Sequence, residues 1–151
     1  MKGGERVKQK SEAQIFLELP EKLDAIVENK LIEKKQYRDL ALGITANMGG
    51  ERVQSSGSKS RLEDAIVRLV DTEAEIDAAV DKLIAVRQSV VELIERLDSP
   101  MEYRLLHDRY IKYMSLTEIA EKYDKEYSWV TTTHGRALRN VGKLLHKGVT
   151  E

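Results

Sequence analysis

Tyr127, Ser128, Thr131, Thr132 and Arg136 lie within one ten-residue stretch that holds no carboxylate. Their chemistry is recognition rather than reaction. Hydroxyls donate to or accept from base edges and phosphates, a threonine methyl can touch the thymine methyl, and arginine suits a phosphate or a guanine. Carboxylates at such positions would be repelled by a nucleic-acid backbone. As a plain solvated face the row would be odd, because this chain elsewhere covers its surfaces with Glu, Lys and Asp.

Enzymatic chemistry finds little to work with. There is no cysteine, which excludes a thiolate nucleophile, a disulfide or a thiolate metal site and suits a reducing, intracellular setting. Gly49 and Gly50 are not followed by the Gly-Lys-Ser/Thr of a phosphate loop, and no G-x-S-x-G occurs. His107, His134 and His146 show no metal-ligand spacing. His107 is expected to pack within its own helix, His134 to be a surface residue and His146 to sit near a fraying end. No catalytic residue, metal or cofactor is expected, and the many carboxylates read as solvated helix faces.

The recognition row needs helices to hold it. Leu116, Ile119, Ala120 and Tyr123 mark a short helix over 116–123, with Ser115 as cap and Glu118 three residues on. The DKEY segment is a turn. A second helix over 127–146 turns Val130, Ala137, Leu138, Val141, Leu144 and Leu145 inward. Small Ala120 allows a close approach, and Val130 packs into the angle between the two. Trp129 is expected in a core or packed on a partner. Ahead of these, Ser99 and Pro100 start a helix over 100–113, with Tyr103, Leu106, His107, Tyr110 and Ile111 on one face.

Upstream the pattern lengthens. Residues 21–48 read as a helix with Leu23, Ile26, Val27, Leu31, Leu40 and Ile44 as an imperfect apolar face. The glycine- and serine-rich 48–60 segment reads as a loop, with Ser60 as the next cap and Glu63 completing a capping box. From Leu62 through Ile66, Leu69, Glu73, Ile76, Val80, Leu83, Arg87, Val90 and Ile94 to Leu97, steps of four and three alternate without a slip. A helix over 60–97 would reach roughly 57 Å at 1.5 Å per residue. Its stripe must meet either the 21–48 helix, folded back antiparallel, or its copy in a second chain. Glu73 and Arg87 then either set register or lie at the rim. The expected fold is all-α: a long antiparallel, coiled-coil-like helical hairpin over 21–98 with its loop near 48–60, followed by a helix-turn-helix domain over 99–151. Residues 1–20 form an unassigned tail.

Composition agrees. Of 151 residues, 34% are charged and 5% aromatic, which suits long solvated helices better than a sandwich or barrel. The net charge of −1 hides its distribution. Residues 60–98 hold 5 Lys/Arg against 10 Asp/Glu, whereas 127–147 hold Arg136, Arg139, Lys143 and Lys147 and no acid. A basic end hints at nucleic acid; for Lys143 and Lys147 the complement to the helix dipole is the simpler account. No run of 18 apolar residues spans a membrane, and the basic MKGGERVKQK start lacks the apolar run of a secretory signal.

The segment YRLLHDRYIKYMSLTEIAEKYDKEYSWVTTTHGRALRNVGKLL resembles region 4 of the sigma-70 family. The matching residues are Leu106, Arg109 and Tyr110, then Ser115, Glu118, Ile119 and Ala120, then Val130 with Arg136, Ala137 and Leu138. The upstream GGERVQSSGSKSRLEDAIVRLVDTEAEID looks like small phage late transcriptional regulators of the RinA/ArpU type. Together the resemblance covers about residues 40–147. It implies a sequence-specific DNA-binding transcriptional regulator, phage or prophage encoded, acting at promoters with host RNA polymerase in the bacterial cytoplasm. Its DNA-binding residues would be Tyr127, Ser128, Thr131, Thr132 and Arg136. The family often places arginine, lysine, glutamate or glutamine at the first four, and this chain does not. A homo-oligomer, a dimer by preference, would form through the 60–97 helix. Two alternatives are a phage DNA-packaging recognition (small terminase-like) subunit and a structural coiled-coil adaptor.

Overall fold

The computed structural model describes residues 9–48 and 56–148. Among them all regular structure is helical: α1 Glu12–Met48, α2 Ser56–Glu95, α3 Pro100–Tyr110, α4 Leu116–Tyr123 and α5 Tyr127–Lys147. The chain is all-α. It divides into two compact units. One comprises the described residues up to Glu21 together with those from Ala85 on, and the other is Lys22–Ile84.

The observed start of α1 corrects the expected one. The helix begins nine residues before residue 21, because the Gln14 amide donates to Ser11 Oγ at 3.2 Å and the Ile15 amide to the Ser11 carbonyl at 3.0 Å. Pro20 lies inside the helix and is fully buried. A proline there removes one backbone bond, and burial of Ala13, Leu17 and Pro20 offsets the loss. The first helical turns are thus core, not tail. Ala13 and Leu17 join Val90, Leu93, Ile94, Leu105, Leu106, Tyr110, Ile119, Ala120, Val130, Ala137 and Val141 in one buried cluster.

The second boundary also moves. α2 already runs at Ser56, so Ser60 sits within the helix and caps nothing. Of the expected loop, residues 49–55 lie outside the described residues. α3 stops at Tyr110 rather than 113. The Ile111 and Lys112 amides close on the His107 carbonyl, Met114 closes on the Asp108 carbonyl, and Tyr113 takes the left-handed conformation at φ 60°. Ser99 caps α3 as expected, accepting from the Glu102 amide, with Pro100 in the first turn.

Within Lys22–Ile84, Lys30 pairs with Glu75 at 2.8 Å and Lys34 with Glu73 at 3.2 Å, and Arg68 lies over the Tyr37 ring. Partner numbers fall as α1 numbers rise, so the two segments run antiparallel. The seam buries Leu23, Val27 and Ile44 of α1 with Ala65, Thr72 and Ile76 of α2. It departs from the heptad expectation at Ile66, which is 46% exposed while Ala65 is buried. On α1, Ile26, Leu31 and Leu40 are exposed, and half-buried Lys30, Lys34 and Tyr37 occupy the seam instead. Their long stems cover apolar surface while their polar ends reach water. Glu73 takes the rim position. Arg87, in the other unit, donates to the Ile111 carbonyl at 3.1 Å and so holds the end of α3.

Candidate nucleic-acid interface

α4 and α5 are joined by three residues, Asp124, Lys125 and Glu126. Asp124 adopts the left-handed conformation at φ 52°, which aspartate tolerates better than most side chains. It ends α4 there: the Asp124 amide bonds the Glu121 carbonyl and the Lys125 amide bonds the Ala120 carbonyl at 2.9 Å. At the other end Ser115 Oγ accepts from the Glu118 amide, the cap the sequence predicts, and also donates to the Glu118 carboxylate. α5 packs back through Val130, Ala137 and Val141, all without solvent exposure, against a cluster that includes Ile119 and Ala120.

This packing sets which α5 residues face outward. Tyr127, Ser128, Thr132 and Arg136 are exposed. Thr131 is half-buried, and its hydroxyl donates to the Ser128 carbonyl at 3.0 Å. It therefore keeps acceptor capacity only while that bond lasts. The five candidate residues do not contribute equally: four stand free, and one is folded against its own helix. Trp129 is partly buried on the core, with the Lys125 ammonium 5.3 Å above its ring.

The exposed row continues beyond the expected five. Ser128, Thr132, Arg136, Arg139 and Lys143 are all exposed, in steps of four and three along one stripe. No ion pair involves Arg136, Arg139 or Lys143 among the described residues. Sequence reasoning picked Arg136 and left Arg139 in the general basic count; its signal was the i+3 spacing from Arg136. α5 has no acid in its first turn, and Glu126 at its N-cap makes no side-chain cap bond. The Trp129 and Val130 amides turn back onto the Glu126 carbonyl, and the positive end of the helix dipole lies beyond them.

His134 departs from its expected surface place. It is half-buried, and its Nε2 lies 2.7 Å from the Tyr110 hydroxyl, with the two rings stacked at 5.7 Å. Burial pushes the imidazole below its usual pKa and Arg109 adds to the shift, while Glu18 opposes it. Burial also pushes the Tyr110 hydroxyl up to about 12. The pair is a neutral fastener between α3 and α5.

A second fastener was not foreseen. Asp108 is 2% exposed and accepts from Lys122 Nζ at 2.9 Å to each oxygen and from the Tyr123 hydroxyl at 2.6 Å. Lys112 stands 3.4 Å away. These hydrogen bonds hold the carboxyl below its ordinary pKa against the opposing effect of burial, and they tie the end of α4 to α3. Glu102 similarly takes both oxygens to the Asn140 amide, at 3.1 and 2.9 Å, linking α3 to α5. In sequence these acids look like any others on a charged helix.

Among the described residues no group of three His, Asp or Glu side chains could hold a metal ion, and no helix is long and apolar enough to cross a membrane. No family model matches the chain, and no curated protein or solved structure does either.

Proposed function

We propose that this chain is a sequence-specific DNA-binding transcriptional regulator in which α4, its three-residue turn and α5 act as a helix-turn-helix. α5 enters the major groove by its N-terminal turns. One observation carries the reading: an acid-free outer stripe on α5 runs from exposed hydroxyls to unpaired arginines, while its inner face is locked into a core shared with α3 and α4. Tyr127, Ser128 and Thr132 reach base edges or phosphates. Thr131 contributes as an acceptor or through its methyl. Arg136 neutralises a phosphate or reads a guanine. The likeness of residues 103–145 to sigma-70 region 4 supports action at promoters with RNA polymerase, and the upstream likeness to phage late regulators supports a phage or prophage origin.

The antiparallel α1–α2 segment is the assembly element in this reading. Two helices share only one seam, and Leu42, Ile66, Val67 and Val70 remain exposed. Exposed apolar side chains in such number mark an interaction surface, and a second copy of the chain is the partner proposed.

The test is light-scattering mass together with binding to duplex fragments flanking the gene, across a salt series. A dimer that shifts one promoter-bearing fragment well above competitor DNA supports the regulator. A large ring supports the packaging alternative. Absence of binding at low salt, with and without polymerase, overturns DNA recognition.

A further inference from the structure

A cleft of about 410 Å³ opens between α3 and α4, away from the seam that α5 fills. Arg104, His107 and Lys112 line it from the α3 side and Lys122 from α4, with Tyr103 and Tyr123 as aromatic walls. Its carboxylate is Asp108, which is already consumed by Lys122 and the Tyr123 hydroxyl. Three permanent cations thus face one saturated carboxylate. Arg104 is exposed and has no acidic partner among the described residues. Lys112 keeps half of its side chain in solvent. Glu118, the other acid near α4's start, is turned onto Ser115.

We propose that this cleft binds a phosphate group, gripped by Arg104 and Lys112 beside a Lys122 that Asp108 holds in place. Two surplus positive charges suit the several oxygens of a phosphate anion better than a single carboxylate. The planar arginine fork suits phosphate oxygens. Asp108 does the preorganising: it fixes one ammonium and draws a second near, so the site is assembled before any ligand arrives. The field in the cleft agrees. The His107 pKa is lowered first by burial and next by Lys112, which outweighs the opposing Asp108, with Lys122 and Arg87 adding to the fall. The inference stands apart from the reading of α5, since no residue of the outer α5 stripe lines the cleft.

The phosphate has two possible sources, a phosphodiester of bound DNA or a free phosphorylated compound. Inorganic phosphate is the probe. Histidine ring resonances of the full chain are followed against pH with and without it. A bound phosphate anion favours imidazolium, so the His107 titration moves upward while that of His134, locked on Tyr110, stays. Arg104→Ala and Lys112→Ala each weaken the phosphate effect on the order of tenfold. If Arg104→Ala also lowers the salt slope of DNA binding by about 0.9, the source is the DNA backbone. If the slope is unchanged while the phosphate effect is lost, the source is a free phosphate compound. A His107 titration unmoved by saturating phosphate overturns the site, as does a shift that survives both substitutions.

Discussion

The Tyr110 hydroxyl meets His134 Nε2 at 2.7 Å, joining α3 to the helix that carries every candidate DNA contact. Because the rings also stack, the pair fixes the rotation of α5 about its axis as well as its distance. Thr132 and Arg136, on either side of His134 in sequence, are aimed outward by this inward bond.

Its acid sensitivity has a definite sign. The folded His134 pKa lies below the unfolded value of about 6.5. The unfolded chain therefore binds more protons below that pH, and stability contributed by the neutral ring is complete above about 6.5 and declines as pH falls below it. Urea midpoints at pH 7.5 and 5 should differ, and His134→Gln should shrink the difference. His107, also depressed by burial, contributes in the same direction, so His107→Gln is the companion measurement. A midpoint difference that neither substitution changes would refute this account.

Leu17→Ala should destabilise the unit that contains α5 by about 2–4 kcal/mol, the range for emptying a fully buried leucine site. Leu17 has no exposure and packs in the α3–α5 cluster. Chemical denaturation followed at Trp129 reads it directly, and a change under 1 kcal/mol would mean that α1 is dispensable there.

Thr131 and Thr132 should separate. Thr132→Ala should relax base preference at one or two positions of a selected duplex, on the order of 1 kcal/mol each. Thr131→Ala should do less, because its hydroxyl donates to the Ser128 carbonyl. Arg136→Ala should weaken all sequences alike and reduce the salt slope by about 0.9. Sequence selection and salt titration on the same variants provide the check; equal losses from the two threonines would contradict the orientation of α5.

Val67→Glu combined with Val70→Glu should lower oligomer mass while leaving helicity intact, since both side chains are 58% exposed. Leu83→Asp, at a half-buried seam position, should lower helicity as well. Light scattering paired with circular dichroism distinguishes the two, and unchanged mass in the double variant would remove this surface from the assembly.

Much of this was legible in the residues. The bounds of α4, the caps Ser99 and Ser115, and the inward Val130, Ala137 and Val141 all follow from local spacing. What escaped depends on distant partners. Ser11 begins a helix whose worth lies in Leu17 reaching a core formed more than seventy residues later. Asp108 looks solvated until Lys122 and Tyr123 are brought to it. His134 looks superficial until Tyr110 is placed beneath it. The heptad placed Leu62, Leu69, Ile76, Leu83 and Val90 on the covered side but chose Ile66 and Glu73 where the neighbouring Ala65 and Thr72 are buried, and half-buried lysine stems filled where apolar residues were expected.

The unit with α3–α5 is discontinuous: its first helical turns and its last helices are separated by the whole Lys22–Ile84 segment. During synthesis those first turns emerge with Ala13, Leu17 and Pro20 uncovered and wait for most of the chain to be made. Closing the intervening segment adds entropy cost slowly with length, yet the non-local closure slows folding. Shortened translation products would carry an unclosed apolar surface, and a tag or fusion placed ahead of Ser11 would act on the completion of the core that carries α5.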